Sequence, residues 1–412
     1  MTLTLKHLTT LTLEDQPPQP TQAYTPYKHN QKRETIMNTT NLPTPCFLVD
    51  TALIERNLQT LRGVARRTGC KILLAQKAFS MHALYPLIGE YLSGATSSGL
   101  YEARLAHEQM RGENHVFSAA YRPDEFEEIA SICGHIVFNS FAQLERYGRA
   151  ARDKGTSIGI RVNPEHSTQQ GKGIYDPCAP GSRLGVTREE FNPELFRMYE
   201  VEGLHFHTLC EQNADDLITT LAAFEEKFGE FMPGLRWLNL GGGHHITRPD
   251  YDIPALQGCV TRLREKYGVE VYLEPGEAIA LNAGYLITTV LDIVRNGMEI
   301  AILDTSAACH MPDVLEGPYR PPLQDSGYPG EKAHTYRLGG PTCLAGDIIG
   351  DYSFDRPLQV GDRLIFEDMA IYSMVKTNTF NGMGLPAIAL LEDGQARIIK
   401  AFGYKDFKER LS

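Results

Sequence analysis

The sequence predicts an α/β fold, a (β/α)8 (TIM) barrel followed by a second, C-terminal all-β domain. Between residues 51 and 282, eight short apolar runs alternate with longer segments whose apolar residues recur every three or four positions. That alternation is typical of strands and helices around a parallel barrel. After about residue 283 the helical periodicity gives way to β-branched runs separated by Gly, Pro and Asp turns, which indicates a β-domain.

Each of the eight apolar runs is interpreted as one barrel strand. In chain order they are ILLAQ (72–76), GATSS (94–98), HVFSA (115–119), HIVFN (135–139), SIGIRVN (157–163), GLHFHT (203–208), WLNLGGG (237–243) and VYLEPG (271–276). Amphipathic segments flank them and predict helices, for example ALIERNLQTLRGVARR, FAQLERYGRAARDK and LITTLAAFEEKFGEF. Eight strands with intervening helices match the number in a (β/α)8 barrel.

The predicted second domain combines residues 37–50 with residues 283–412. Its β-branched runs are YLITTVLDIV, EIAILDTS, TYRLGG, RLIFEDMAIY, PAIALLED and ARIIKAF. The run FLVD (47–50) precedes the first helix, and a closed barrel needs no ninth strand, so we expect it to pair with this domain. Residues 1–36 are rich in Thr, Gln and Pro without an apolar period, which predicts a disordered leader.

Composition and charge restrict the possible partners. Hydrophobic residues make up 42% of the chain and charged residues 22%, as in a globular protein with a large core. The net charge of -11, without a basic run, argues against nucleic acid. The eight cysteines form no CxxC pair and the histidines show no zinc spacing, so we expect no metal and a reducing, cytoplasmic compartment. No apolar run reaches the roughly 20 residues that a membrane helix needs, so we expect no membrane partner.

Polar residues follow four of the predicted barrel strands, at the end where barrels carry their functional side chains. Lys77 follows the first strand, where burial would lower the pKa of its amine and favour imine chemistry. The sixth strand ends in His205 and His207, the seventh in the glycines at 241–243, and the eighth in Glu274. Taken singly, these residues have ordinary explanations: a surface lysine, a core histidine, a tight turn and a solvated carboxylate.

Taken together, the four strand ends describe one site with an amine, an aromatic ring, an anion cradle and a carboxylate. A phosphorylated pyridine aldehyde fits all four. The amine would form an imine, the ring would stack, the glycine amides would receive the phosphate and the carboxylate would keep the pyridine nitrogen protonated. The alternative without this cofactor is a sugar-processing barrel that uses paired carboxylates.

These motifs resemble the alanine-racemase-like, fold-type III family of pyridoxal-5'-phosphate enzymes, which includes ornithine, diaminopimelate and carboxynorspermidine decarboxylases. The resemblance runs from about residue 43 to 405. It implies that Lys77 is the imine lysine, that His207 in FHTLC stacks on the cofactor ring and that Glu274 in EPGE contacts the pyridine nitrogen. The other cofactor contacts that it implies are Cys210, Gly241, Gly242, Gly243 and Tyr372. It also implies a homodimer in which Cys343 of GGPTCLAGD enters the neighbouring chain's active site.

Two departures from the family pattern narrow the implied substrate. Ornithine and diaminopimelate decarboxylases generally carry E-P-G-R where this chain has Glu277, and an acidic residue where Leu344 follows the cysteine. The segments EPGEA, PTCLAGD and HMPDVLEGPYRPP resemble the carboxynorspermidine decarboxylases instead. That resemblance implies decarboxylation of carboxynorspermidine or carboxyspermidine, whose amines would meet Glu277, Asp313 or Asp347. The net charge of -11 would attract such a polycation.

Several alternatives stay open at the level of sequence. Diaminopimelate decarboxylase, or another amino-acid decarboxylase of this fold, would share the barrel and its lysine. A racemase would need a tyrosine base from the β-domain facing Lys77 across the cofactor. A non-catalytic carrier of pyridoxal phosphate would lack the second domain. Cys343 would serve as the acid that protonates the carbanion, or else as a small buried residue.

Overall fold

A closed barrel and a β-sheet domain make up the computed structural model, which describes residues 41–169 and 173–412. The chain enters through strand β1 (Cys46–Asp50). The barrel strands are β2 (Lys71–Ala75), β3 (Gly94–Ser97), β4 (Glu113–Phe117), β5 (His135–Phe138), β6 (Ser157–Arg161), β7 (Gly203–His205), β8 (Trp237–Asn239) and β9 (Glu270–Leu273). They are parallel, follow chain order and close by pairing β9 with β2. Each overlaps one predicted run, so the predicted barrel is confirmed.

Helices of varied length surround the barrel. They are α1 (Thr51–Thr68), α2 (Tyr85–Ile88), α3 (Leu100–Gln109), α4 (Phe126–Ile132), α5 (Phe141–Asp153), α6 (Pro193–Met198), α7 (Ala214–Phe228), α8 (Ile253–Tyr267) and α9 (Glu277–Ala280). The three helices predicted from amphipathic segments correspond to α1, α5 and α7. Among the described residues, no helix is long and apolar enough to cross a membrane.

Helix α1 shows how the sequence sets the bounds of a helix. Its first turn is capped by Asp50, whose side-chain Oδ1 accepts the amide N–H groups of Ala52 (2.9 Å) and Leu53 (3.2 Å). The helix ends at Gly69, whose φ of 70° lies in the left-handed region that glycine adopts without steric cost. Its apolar face is buried in the core and consists of Leu53, Ile54, Leu58, Leu61 and Val64. Helix α1 therefore leads the chain into β2, whose far end carries Lys77.

The barrel interior is filled by side chains and is not an open pore. Trp237 of β8 lies inside it, packed in a buried cluster with Leu73, Val137 and Tyr272. Strands β6 and β7 make room for the indole with glycines. A Cβ atom on Gly159 would lie 2.2 Å from the indole ring, and one on Gly203 would lie 2.0 Å from it. This packed layer separates the two ends of the barrel.

The second domain is a sheet of eight strands that includes β1. Its other strands are β10 (Gly284–Asn296), β11 (Met298–Leu303), β12 (His334–Gly339), β13 (Ile348–Phe354), β14 (Arg363–Glu367), β15 (Ala387–Glu392) and β16 (Gln395–Lys400). The strand order is β13-β12-β11-β10-β1-β15-β16, with β14 paired to β10. Three short helices accompany it, namely α10 (Ala307–His310), α11 (Asp313–Glu316) and α12 (Tyr404–Glu409).

The sheet differs from the sequence prediction in one strand. Strand β13 was not predicted, because its sequence IIGDYSF carries Gly350 and Asp351 at its centre and lacks a clear β-branched run. The structure pairs it with β12 over six residue pairs, including Arg337 with Asp351. Strand β1 lies between β10 and β15, so the run FLVD belongs to the sheet. The leader predicted at 1–36 lies outside the described residues.

A polar cluster closes the amino-terminal end of the barrel. Lys71 begins β2, and its ammonium Nζ contacts carboxylate oxygens of Glu113 on β4 and Glu270 on β9, the latter at 2.9 Å. The Tyr272 hydroxyl lies within hydrogen-bonding distance of the same two carboxylates, at 3.0 and 2.8 Å. We call these four residues the barrel floor. Every charge in the floor therefore has a partner of opposite sign.

Candidate active site

Lys77 lies at the carboxyl-terminal end of the barrel, just beyond strand β2. The preceding Gln76 is fully buried and donates through Nε2 to Ser97 Oγ (2.8 Å) and to the backbone oxygen of Glu102 (2.9 Å). The Tyr85 hydroxyl donates to Gln76 Oε1 at 2.8 Å. These three hydrogen bonds satisfy the buried amide and fix the turn that carries Lys77.

The electrostatic surroundings of Lys77 favour an uncharged amine. Its side chain is accessible to solvent at the barrel mouth, although protein atoms surround it on most sides. Burial lowers the pKa of the amine and the nearby Arg161 guanidinium lowers it further, while the carboxylates of Glu274 and Glu277 oppose the shift only in part. Among the described residues, these carboxylates act on Lys77 through space, without a hydrogen bond to Nζ.

Arg161, the last residue of β6, is the buried cation of this site. It is 5% exposed, and its Nη2 donates to the backbone oxygen of His207 at 2.9 Å. Its guanidinium also lies 4.6 Å from the centroid of the Phe117 ring. Burial lowers the pKa of Arg161 to about 10, with Glu274 opposing the shift, so the group stays charged at neutral pH.

Glu274 follows β9 and faces the mouth as an ionised carboxylate. Asn239 Nδ2 donates to Glu274 Oε1 at 2.7 Å, and His205 Nε2 lies 3.6 Å from Oε2, too far for a hydrogen bond. Burial would raise the pKa of Glu274, but these neighbours outweigh it and lower the pKa to about 2. Burial also lowers the pKa of His205, so a neutral ring contributes little charge to the pair. We therefore attribute the ionised state mainly to Asn239 and to the positive charge of Arg161.

The two histidines of the sixth barrel strand take different positions. His205 is buried at 1% exposure, and neither ring nitrogen has a hydrogen-bond partner among the described residues. The His207 ring lies 6.4 Å away, centroid to centroid, nearly perpendicular to it. Burial, with Lys77 adding to it, lowers the pKa of His207 well below 6.5, so this ring is neutral as well.

The glycine loop, residues 241–243, lies where no larger residue fits. Gly241 and Gly243 have φ of 70° and 80°. A Cβ atom on Gly242 would lie 2.4 Å from the Glu274 backbone oxygen, and one on Gly243 would lie 2.0 Å from that of Leu209. The Gly241 amide donates to Asn239 Oδ1 at 2.9 Å, which anchors the start of the loop. The loop is therefore built for close approach of backbone to a ligand.

The sheet domain contributes Tyr372 to the same mouth. The backbone amide of Tyr372 donates to the oxygen of Ala78, next to Lys77, at 2.8 Å. Its φ of 55° is unusual for a non-glycine residue, and such conformations occur at functional sites. Burial, with the charge of Glu277 and the nearby Cys210 thiol, raises the pKa of the Tyr372 phenol. Tyr372 and Cys210 thus belong to the group around Lys77.

Glu277 lies in a buried ion pair and not in open contact with the site. Its Oε2 is 2.6 Å from Nε2 of His245, and the two residues are 6% and 3% exposed. Burial alone would lower the pKa of His245, but the Glu277 carboxylate outweighs it and raises the pKa, which favours the protonated imidazole. The expectation that Glu277 contacts a substrate amine stays a prediction, and such a contact would share the carboxylate with His245.

Asp313 and Asp347 are also bound within the chain. Asp313 Oδ1 accepts from Lys376 Nζ at 2.6 Å, beside Glu316. Asp347 is 2% exposed, and it accepts from the Ser306 hydroxyl at 3.0 and 2.9 Å and from the Thr342 hydroxyl at 2.7 Å. A buried carboxylate with these donors stabilises its own loop. A substrate contact of Asp347 would have to compete with these hydroxyl donors. A substrate contact of Asp313 would have to replace the ion pair with Lys376.

Cys343 is exposed on the loop between β12 and β13. Its amide donates to Asn381 Oδ1 at 2.9 Å, which fixes the loop. Two large apolar side chains nearby are also exposed. Leu344, the next residue in sequence, is 45% exposed, and Phe380, which precedes Asn381, is 47% exposed. An apolar exposed surface around a thiol is typical of an interface.

Sequence reasoning missed Arg161, Asn239 and His245 as members of the site. Arg161 and Asn239 are the last residues of β6 and β8, so the rule that polar strand ends line the mouth would have found both if applied to every strand. His245 carried no comparable signal, because only the folded chain brings it to Glu277.

The residues present fit pyridoxal phosphate. Lys77, an amine whose pKa is lowered by burial, lies in one mouth with the ionised carboxylate of Glu274. These acid-base properties suit an imine and a protonated pyridine nitrogen. The unpartnered ring nitrogens of His205 and the glycine loop provide polar groups that a ligand can approach. The cofactor would be held by Lys77, Glu274 and the loop.

Comparison with known proteins supports the same chemistry. Residues 28–370 match the family model described as pyridoxal-dependent decarboxylase, C-terminal sheet domain. A carboxynorspermidine/carboxyspermidine decarboxylase of Campylobacter jejuni is 41% identical over 90% of this chain and 98% of its own. A carboxyaminopropylagmatine decarboxylase of Synechocystis is also 41% identical, over 90% of this chain and 96% of its own.

Solved structures show the same architecture. The crystal structure of Campylobacter jejuni carboxynorspermidine decarboxylase complexed with norspermidine has a TM-score of 0.84 and 40% identity, over 90% of this chain and 100% of that one. Diaminopimelate decarboxylase of Helicobacter pylori, with a TM-score of 0.78, shares 20% identity over 90% of this chain and 97% of its own and supports the fold alone. Two relatives above 40% identity are named as decarboxylases of carboxylated polyamines. The chain belongs to the family of pyridoxal-dependent decarboxylases.

Proposed function

We propose that this enzyme removes the carboxyl group of a carboxylated polyamine, with carboxynorspermidine or carboxyspermidine as substrate. The observation that carries the chemistry is that Lys77, whose pKa is lowered by burial, shares one mouth with the ionised carboxylate of Glu274. Relatives of 41% and 38% identity, from Campylobacter jejuni and Herminiimonas arsenicoxydans, support the choice of substrate.

Each residue of the mouth has its own role in holding the cofactor. Lys77 holds the cofactor covalently, since its lowered pKa leaves the amine free to attack. Glu274, kept ionised by Asn239, holds a proton at the pyridine nitrogen. The neutral His207 ring would pack against the cofactor ring, and the glycine loop would receive the phosphate. When bound, pyridoxal phosphate accepts the electron pair that the departing CO2 leaves behind.

The reaction ends when a proton replaces the lost CO2, and we assign that proton to Cys343 of a second copy of the chain. The thiol is exposed in the single chain, on a surface that includes Leu344 and Phe380. A homodimer with two-fold symmetry would bury this surface and bring each thiol to the partner's site. Each active site would then use residues of both chains.

A second candidate substrate is carboxyaminopropylagmatine. The Synechocystis relative that acts on it by name is 41% identical, as similar as the Campylobacter jejuni relative. Diaminopimelate is less supported, because a relative named for it, from Deinococcus radiodurans, is 26% identical over 57% of this chain.

A CO2-release assay with matched concentrations of these substrates tests the proposal. We expect kcat/KM for carboxyspermidine or carboxynorspermidine to exceed that for carboxyaminopropylagmatine and diaminopimelate by at least about tenfold, since a site that binds a substrate's polar groups discriminates strongly against analogues. A preference for carboxyaminopropylagmatine would favour the second candidate. Release from diaminopimelate alone would overturn the polyamine assignment.

Mixing two inactive variants tests the shared site. Lys77→Ala and Cys343→Ala chains, combined with proven subunit exchange, should restore about a quarter of the wild-type sites, because half of the dimers are hybrids and each hybrid has one intact site. A fully inactive mixture would show that each site is built from one chain.

A further inference from the structure

We infer that His245, whose Nε2 is paired with Glu277 and whose Nδ1 is buried without a partner among the described residues, is the residue that faces the phosphate of the cofactor. This inference rests on the proposed function, because it assumes that the glycine loop receives that phosphate. It assigns Glu277 a role through His245 and not through the substrate.

His245 connects the glycine loop after β8 with the loop after β7. We call these two loops together the phosphate cradle. It lies two residues beyond Gly243, and its backbone amide donates to the oxygen of Gln212 at 3.2 Å. The Gln212 amide donates in turn to the oxygen of Gly243 at 3.0 Å. The loop after β7, which carries Cys210, and the glycine loop after β8 are thereby joined beside the histidine.

Glu277 reaches the cradle from a third side. It is the first residue of α9, three residues after Glu274, and its carboxylate acts electrostatically on Lys77 and on the Tyr372 phenol. The pair that it forms with His245 therefore lies within range of the groups proposed to hold the cofactor. Both members are nearly inaccessible to water, so the pair is weakly screened.

The second ring nitrogen of His245 is available to a ligand. Nε2 contacts Glu277 at 2.6 Å, whereas Nδ1 is buried and has no hydrogen-bond partner in the described part of the chain. A protonated imidazole carries a donor on each nitrogen, and a buried donor without a partner costs about 1–3 kcal/mol. A phosphate oxygen would satisfy it.

Charge balance points to the same residue. A lone Glu277 carboxylate would repel a phosphate dianion, and a cationic His245 makes the pair neutral while leaving one N–H to donate. The other basic side chains nearby are less suited to contact the phosphate. Burial lowers the pKa of His244 to about 4, so it is neutral, and Arg248 Nε donates to Asp250 at 2.6 Å. Arg161 lies with Glu274 at the pyridine side.

The test compares binding of pyridoxal phosphate with binding of pyridoxal, which lacks the phosphate. The full-length enzyme is purified with its cofactor, and the dissociation constant of each compound is measured by equilibrium dialysis from the absorbance that remains bound. The variants are His245→Gln, which removes the charge, and His245→Arg, which keeps it. His244→Gln is the matched control, since His244 is an adjacent buried histidine without a carboxylate partner.

We expect His245→Gln to weaken binding of pyridoxal phosphate about tenfold or more and to change binding of pyridoxal less than twofold, since a charge-assisted hydrogen bond is lost. His245→Arg should retain most of the preference for the phosphorylated compound, and His244→Gln all of it. An unchanged preference in His245→Gln, or equal losses in the Gln and Arg variants, would overturn the inference. Failure of the wild-type enzyme to bind pyridoxal phosphate would instead overturn the proposed function.

Discussion

The two ends of the barrel contain the same kinds of charged side chain and differ in how these are paired. At the floor, burial alone would lower the pKa of Lys71, but the carboxylates of Glu113 and Glu270 outweigh it and raise the pKa. At the mouth, burial lowers the pKa of Lys77, and Arg161 adds to the shift. The direction of each pKa shift thus depends on whether carboxylate partners outweigh the effect of burial on the lysine.

The histidines at the two ends show the same contrast. At the floor, His115 and His135 stack with ring centroids 3.9 Å apart and an interplanar angle of 17°, and His115 Nε2 lies 2.8 Å from Glu113 Oε2. At the mouth, the His205 and His207 rings are nearly perpendicular, with centroids 6.4 Å apart. Among the described residues, both ring nitrogens of His205 lack a hydrogen-bond partner, whereas at the floor Nε2 of His115 is paired with a carboxylate and Nδ1 of His135 is not paired.

The largest difference between the ends should appear when each lysine is removed. Lys77→Ala should lower kcat at least about a thousandfold and remove the visible absorbance of the bound cofactor, because the nucleophilic amine is lost. Lys71→Ala, the matched control at the floor, should keep kcat within about twofold. Cofactor absorbance that persists and is reducible by borohydride in the Lys77 variant would contradict the assignment.

A second contrast uses Glu270, the first residue of strand β9, and Glu274, which follows its last residue. Glu274→Gln keeps the side-chain shape but cannot hold a proton at the pyridine nitrogen, so kcat should fall about a hundredfold. Glu270→Gln, at the other end of the same strand, should leave kcat within about threefold. Steady-state kinetics at saturating cofactor measure both. Similar losses in the two variants would mean that strand β9 matters for folding alone.

The smallest expected effect concerns stability at the floor. Burial opposes ionisation of Glu113, but hydrogen bonds from His115 and Lys71 outweigh it and lower its pKa from 4.5 to about 2. Because the folded pKa is the lower one, this stabilisation is present above pH 4.5 and is lost as the pH falls towards 2. Lys71→Met should therefore cost about 1–2 kcal/mol at pH 7, since the pair is partly exposed, and less at pH 3. Urea unfolding at both pH values measures it, and an equal loss at the two would contradict the pairing.

Much of the barrel could be predicted because its strands are buried on both faces. Runs such as ILLAQ and HIVFN are continuous and apolar, and polar residues follow them where the mouth begins. Lys77, His207 and Glu274 were identified from that position, and the structure places all three at the mouth. Strand β13 escaped prediction because its pairing with β12, and not a local apolar pattern, makes it a strand.

The barrel, the sheet and the residues after four strand ends could be predicted from the sequence, because burial period and strand polarity are local properties. Which charged side chains meet became apparent only in the folded chain. Glu277 and His245 are 32 residues apart and form a buried pair, and Asp313 meets Lys376 across 63 residues. Such contacts between residues distant in sequence set the pKa of each ionisable group. Coulomb interaction and desolvation depend on position in space and not on spacing along the chain.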